Sequence, residues 1–417
     1  MPIVTDIVER HASEAAFSWT RRDVAVRAGH HDLDSIADLD ETIEAHLDGL
    51  RVAGDAAWDI CRGEVEGGDG GALFVATVLA TGRADLEGLA MVLDAGGGSP
   101  LLSRGIASGL GWAPRGQVEA MLPGFLAEGG PDPLQWLGIA ACAAHRMDPG
   151  PPLAWALESA DVRLAARAAR AAGELGRADF LLRLRELLSS DQEGIRFAAA
   201  WSLALLGDRQ GVPALLGFAS AQGPFAEKAA LLALRAADAR TQREWIEACS
   251  AAPRTQRTAV LGAGAAGDPA LVPWLLQAMQ TPALARVAGA SFSLITGVDL
   301  RKERLFGDPP EGASFGPNDD PDDENVALDP DEHLVWPAPG KVAERWHRIQ
   351  RSLPAGQRHL LGQVVGHPGW LHRVLASGSQ TERAAAALEI ALHAPGHPLF
   401  EVRAPGFQQR ETLGAAA

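Results

Sequence analysis

The sequence predicts an all-α fold: an α-solenoid of short helical pairs, capped by helices at both ends and carrying one long acidic loop. Three observations lead there. GDRQGVPALL from Gly207 and GDPALVPWLL from Gly267 match at Gly, Asp, Val, Pro, Leu and Leu and start 60 residues apart, two periods of 30. A basic residue opens the apolar run before each turn: Arg196 before Gly207, Arg257 before Gly267 and Arg286 before Gly297. The chain of 417 residues is 47% hydrophobic, so a large core can be buried. A period near 30 residues with two helices per unit marks a solenoid, because one unit cannot bury its apolar face alone and must stack on the next.

Taken in order, residues 1–70 predict a helical N-terminal cap. One helix is expected over Ile3 to Trp19, with Ile3, Ile7 and Phe17 facing inward. A second starts near Asp34-Ser35, where Ile36, Leu39, Ile43, Leu47 and Leu50 recur at steps of three and four, the stripe of an amphipathic helix. Such caps close the apolar face that a terminal repeat would leave open. Residues 71–300 predict the array, about eight units from Gly71 to Gly297. In each unit an Ala-rich first helix lets its neighbours approach closely and has high helix propensity. Gly-Asp then ends it, Gly accepting the left-handed C′ conformation and Asp capping the next helix. These positions are Gly207 with Asp208 and Gly267 with Asp268, and Pro213 and Pro273 sit where a first helical turn tolerates a missing N–H. DVRLAARAARAAGELG from Asp161 is a further copy opened by Arg163, and PFAEKAALLALRAAD from Pro224 is a degenerate one with Lys228 in the basic place. Arg163, Arg196, Arg257 and Arg286 are expected to form an intrachain ladder, each pairing with a neighbouring repeat's carboxylate or helix end. Residues 301–340, rich in Pro, Gly and Asp, predict a loop. Residues 341–417 predict four helices, KVAERWHRIQRSL, QRHLLGQVV, WLHRVLAS and TERAAAALEIALHA, and a Pro-broken tail packed on the last of them.

These units resemble HEAT repeats, especially the short Ala-rich kind of phycobilin lyase-like proteins, over Asp161 to Gly297 and more weakly upstream. Two end segments carry a second resemblance. LDETIEAHLDGLRVAG from Leu39 and PLFEVRAP from Pro398 look like the ends of an uncharacterised bacterial HEAT-repeat family found in gene neighbourhoods of type VI secretion and its toxic effectors. The motifs are not catalytic, so the resemblance implies a context and not a mechanism.

Charge narrows the function. The net charge is −16, and Gly307 to His333 holds ten acidic residues and no Lys or Arg. A binder of phosphate backbone needs a basic face, so nucleic acid is not the expected partner; a basic protein is. No apolar run is long enough to span a membrane, and the N-terminus lacks the pattern of a signal peptide, so a cytoplasmic location is expected. Cys61, Cys142 and Cys249 lie far apart and read as buried small hydrophobes.

No motif with chemistry survives inspection. His30-His31 beside Asp32 and Asp34 reads as a polar loop and helix start before it reads as a metal site. DDPDDEN from Asp319 lacks the spacing of a calcium loop. GAGAAG from Gly262 sits inside a helical repeat with no preceding strand. The chain has no His-Glu dipeptide of the kind that ligates iron in HEAT-type hydroxylases, and no G-x-S-x-G. No catalytic residue, metal or cofactor is therefore expected. The expected function is non-catalytic binding of a protein along the concave face of a right-handed superhelix. Within the resembled family's context this reads as an immunity protein that neutralises a toxic effector, possibly a basic nuclease. An effector adaptor or chaperone, a scaffold of the secretion system, and a HEAT-type lyase or metallo-enzyme are the alternatives. Candidate partner-binding residues are the acidic run Asp319, Asp320, Asp322, Asp323 and Glu324, with Trp201 and Trp245 as aromatic anchors.

Overall fold

The computed structural model describes residues 4–96, 99–221, 223–310, 316 and 329–415. Three helices open the chain: α1 (Thr5–Ala25), α2 (Leu33–Ala53) and α3 (Asp55–Gly63). Asp32 starts α2 with a capping box, its carboxylate accepting from the Ser35 N–H while the Ser35 hydroxyl accepts from the Asp32 N–H. Paired helices come next: α4 (Gly70–Gly82) with α5 (Leu86–Ala95), α6 (Pro100–Trp112) with α7 (Arg115–Phe125), α8 (Asp132–Ala144) with α9 (Pro152–Leu157), and α10 (Val162–Glu174) with α11 (Leu181–Leu187). The series continues with α12 (Glu193–Leu205) and α13 (Gly211–Ser220), α14 (Ala226–Ala236) and α15 (Ala239–Ser250), α16 (Gln256–Ala266) and α17 (Val272–Ala278), and ends on α18 (Pro282–Thr296). Each even-numbered helix from α4 to α18 packs on the next, so these helices form one layer and their partners the other. This is an all-α solenoid.

Small residues set the spacing of that layer. A Cβ on Gly71 would stand 2.2 Å from the Ala16 carbonyl oxygen of α1, and one on Gly105 would stand 2.1 Å from that of Gly70. The same closeness corrects the expected face of α1. Ala12, Ala15 and Trp19 are buried, whereas Ile7 and Phe17 are 55% and 60% exposed. Only the Ala side of α1 is thin enough to lie against α4.

The region after α18 differs from expectation in two places, QRHLLGQVV and the tail, which forms a helix packed on α2. It contains α19 (Pro339–Ile349), α20 (Trp370–Ser377), α21 (Gln380–His393) and α22 (Gly406–Ala415), but QRHLLGQVV is a hairpin, β1 (His359–Leu360) with β2 (Gln363–Val364). Leu361 and Gly362 take φ of 51° and 79°, which turns the chain back within two residues. The hairpin satisfies helix ends that would otherwise lack donors. His359 N–H donates to the Gly267 carbonyl at 2.8 Å, and Leu361 N–H to that of Leu294 at 2.7 Å.

The larger finding is where this region lies. α21 packs on α12 and α14 of the array's even-numbered layer. Its buried Glu389 accepts from Arg358, and Arg235 of α14 stands 3.5 Å from it. The chain then passes over the ends of α10 and α12, and reaches the N-terminal pair α1–α2. The even-numbered layer is thus partly covered by the chain's own C-terminal region.

One consequence is testable at the helix stops. Gly267 has φ of +70°, and a Cβ there would meet the His359 carbonyl oxygen at 2.5 Å. Gly267→Ala is expected to cost at least about 1–2 kcal/mol for the left-handed backbone alone, and more for displacing the hairpin. Urea denaturation of the variant checks it.

Candidate partner-binding groove

A groove of about 1360 Å³ opens where three parallel helices end. Gly82, Trp112 and Ala144, the last residues of α4, α6 and α8, line one side; Glu44, Leu50, Arg51 and Trp58 of α2 and α3 line the second; Pro398 to Glu401 and α22 line the third. Its floor is apolar, with Leu50, Val78, Leu79 and Trp112 below and Leu399, Phe400, Phe407 and Leu413 from the tail. Trp112 is the hinge of the packing. Its indole stands edge-on to Phe74 at 5.2 Å and to Phe407 at 6.3 Å, and its Nε1–H donates to Glu44 at 2.8 Å. Phe407 remains 48% exposed.

The rim is charged and internally paired. Arg51 bonds Glu44 and Asp48, each at 2.6 Å, Arg83 bonds Asp55 at 2.5 Å, and Arg146 bonds Glu401 at 3.2 Å. Tail and array are joined here as well: Gln408 donates to the Gly111 carbonyl at 3.0 Å and Arg146 donates to that of Leu399. Beyond the rim α2 and α3 present exposed Asp38 and Glu41, with Asp34 and Asp59 paired to Arg410 and Arg62. The arrangement suits an apolar segment flanked by basic residues.

A buried clasp holds the tail in place. Arg22 and Asp40, both 2% exposed, pair with each other. Arg22 also donates to the carbonyls of Arg403 at 3.1 Å and Ala404 at 3.0 Å, while Asp40 accepts the Gly406 N–H at 2.5 Å. The two segments that resemble the ends of the bacterial HEAT-repeat family, Leu39 to Gly54 and Pro398 to Pro405, are therefore neighbours across this groove.

The residues singled out from the sequence lie elsewhere. Asp319, Asp320, Asp322, Asp323 and Glu324 fall outside the described residues. Trp201 and Trp245 are buried, at 4% and 8% exposure. The Arg170 guanidinium lies 3.1 Å over the Trp201 ring, and the Trp245 Nε1–H donates to Ser220 at 2.9 Å. Both indoles are spent on intrachain packing, and neither faces outward as an interface anchor; the expectation from their type alone ignored that Trp is also a filler between repeats.

The arginines are corrected in part. Arg257 reaches a carboxylate of the adjacent unit, Glu227 at 2.9 Å. Arg196 instead donates to the Ser190 carbonyl at 2.7 Å, and Arg163 sits half-buried on the first turn of α10. Arg257 also bonds Asp331 at 2.6 and 2.8 Å, and Arg286 bonds Asp329 at 2.7 Å and lies 4.7 Å from the Trp336 ring. The described end of the acidic loop is thus docked on two of them. Gly207 and Gly267 have φ of 76° and 70°. Asp208 accepts the Gln210 N–H and pairs with Arg185, and Asp268 accepts from Ala270 and Gly356. The groove itself was missed because its walls come from segments hundreds of residues apart; the repeated Ala-rich helix ends were the only local signal.

Cys61, Cys142 and Cys249 are buried, and burial pushes the thiols of Cys61 and Cys142 up to about 12. No group of His, Cys, Asp and Glu among the described residues is arranged to hold a metal ion. No helix among them is long and apolar enough to cross a membrane.

A family model for HEAT repeats matches residues 150–235, the stretch from α9 into the last turn of α14. A search of curated proteins returned no match. The architecture and the matched stretch together define the class: a helical solenoid that contains HEAT repeats, the framework of a protein-interaction scaffold.

Proposed function

We propose that this protein is a non-catalytic immunity protein of a type VI secretion effector locus, which binds a basic toxic effector and blocks it. The observation that carries the reading is the meeting of the two family-like end segments on one groove. Segments that begin 359 residues apart, at Leu39 and Pro398, build a single apolar trough beside an exposed acidic helix face. A partner segment with apolar anchors and flanking Lys or Arg would satisfy both features, burying its apolar side and matching the acidic rim in charge. A nuclease is one form such an effector takes, since its own substrate demands a basic face.

Co-expression with the toxin encoded beside it tests the reading. Wild-type protein is expected to rescue growth, and failure to rescue sinks the immunity role. Loss of effector secretion on deletion of this protein, without rescue, would instead favour an adaptor. The groove is tested separately by Phe407→Asp. Placing a charge on a half-exposed aromatic anchor is expected to weaken toxin binding on the order of 30-fold, about 2 kcal/mol, with a smaller drop in the melting midpoint from the lost packing on Trp112. Full affinity in that variant would move the partner off the groove.

A further inference from the structure

The N-terminal cap and the far end of the array meet through histidines. The turn after α1 carries His30 and His31. The segment from Asp329 to His333 is docked on the last helices of the array, Asp329 on Arg286 of α18 and Asp331 on Arg257 of α16. Between the two, the His30 ring centroid stands 4.3 Å from that of His31 and 5.3 Å from that of His333. The seat is close. A Cβ on Gly29 would lie 3.0 Å from the Thr381 hydroxyl of α21 and 3.8 Å from His333 Nε2. The turn is fixed from a third side, since the His31 carbonyl accepts the Gln380 N–H at 2.7 Å. Imidazoles change charge between about pH 5 and 8, so a cluster of them across an interface makes the contact sensitive to acid.

Carboxylates near the cluster already have partners. Asp329 pairs with Arg286 at 2.7 Å and Asp331 with Arg257 at 2.6 Å. Asp32 caps α2, accepting the Ser35 N–H at 2.9 Å, and Glu382 of α21 accepts the Ser379 N–H at 2.7 Å. Glu332, next to His333, is exposed to solvent. On the cationic side stand Arg21 of α1, Arg286, and the buried Arg383 of α21, whose nearest opposing charge is Asp32. Burial first and then His30 hold the His31 imidazole below its ordinary 6.5, with Arg21 and His333 acting in the same direction and Asp32 against them. Burial and then His30 lower His333 likewise, helped by Arg286 and opposed by Asp331 and Asp329.

We infer that His30, His31 and His333 form a pH-sensitive latch between the N-terminal cap and the far end of the array, closed while the imidazoles are neutral and opened by their mutual repulsion once they are charged. Asp329 and Asp331 stay on their arginines, so the turn at residues 29–31 parts from His333. Freed imidazoles titrate near 6.5 and the latched ones below it. Below pH 6.5 the open form therefore binds more protons than the closed form, and acid favours opening; above it both forms are neutral and the latch is fully closed. With His31 and His333 both taking a proton on opening, the ratio of open to closed molecules rises by up to about 100-fold per pH unit. None of the three histidines lines the groove, and the latch does not depend on the immunity reading.

Electron spin resonance distances in the full chain test it, with spin labels on Arg27→Cys and Glu332→Cys at exposed positions flanking the cluster. Cys61, Cys142 and Cys249 are buried and do not compete for label. With EDTA present throughout, a single short distance is expected at pH 7.5. A second, longer distance is expected to grow in as pH falls from 6.5 to 5.5. The double variant His30→Gln/His333→Gln, labelled in the same way, is expected to show no such step. Absence of the step in the chain with all three histidines, or an equal step in the double variant, overturns the latch. His333→Gln alone is expected to lower the open-to-closed ratio at pH 5.5 by up to about tenfold, the share of one proton over one pH unit; an unchanged ratio overturns it as well.

Discussion

Asp40→Ala is expected to destabilise the protein by about 3–5 kcal/mol, the cost of leaving a buried charge without its partner, and to free the tail from residue 398 onward. Asp40 is the counter-charge of Arg22, and both are 2% exposed. With the carboxylate gone, Arg22 would keep only the carbonyls of Arg403 and Ala404 and the Trp112 ring, 5.2 Å away. The Gly406 N–H, 2.5 Å from Asp40, would lose its acceptor at the start of α22. A solenoid is stabilised unit by unit, so the damage is expected to be local first. Limited proteolysis should cut between Ala394 and Gly406 before the array opens, and urea denaturation should show a new early phase. Asp40→Asn separates charge from shape: it can still accept from Gly406 but cannot neutralise Arg22, so it should fall between wild type and Asp40→Ala. Resistance of Asp40→Ala to protease equal to that of wild type would mean that the tail is held by something other than the clasp.

The clasp also marks where reading the sequence stops. What is local was legible. The 30-residue period, the glycines at helix ends and the Asp beside each of them arise from backbone geometry within a few residues, and Gly207, Asp208, Gly267 and Asp268 adopt that geometry. The failures have a common physical form. Arg22 meets Arg403 across 381 positions and Arg146 meets Leu399 across 253, and no periodicity reports such pairs. The face of α1 was misassigned because hydrophobicity ranks Ile7 and Phe17 above Ala12 and Ala15, whereas the close approach of α4 selects for size. QRHLLGQVV has apolar residues that suit a helix, but its backbone amides are recruited by the carbonyl ends of α16 and α18, and that demand outweighs propensity. Trp201 and Trp245 looked like anchors because residue type was visible and burial was not.

Glu174→Gln is expected to lose stability at neutral pH and to lose little at pH 2. Glu174 ends α10, is 4% exposed, and lies between Arg167 and Arg170, the latter at 3.1 Å. Burial alone would raise its pKa, but Arg167, Arg170 and Arg146 outweigh burial and bring it from an ordinary 4.5 to about 2. Glu401 is held low in the same way, burial being outweighed first by Arg403 and then by Arg146. The sign is set by proton binding. Between those two values the unfolded chain holds the proton and the folded chain does not, so acid favours unfolding. Stability from Glu174 is fully present above pH 4.5 and disappears as pH falls toward 2. The displacement corresponds to about 3 kcal/mol. Urea midpoints measured from pH 7 to pH 2 should therefore drop for wild type through this window and drop less for Glu174→Gln, the two curves converging at the acid end. A constant gap at every pH would assign the loss to packing at the Glu174–Leu399 junction instead. Convergence would establish that the ionised carboxylate, which gathers Arg167 and Arg170, supplies the stability lost in the variant.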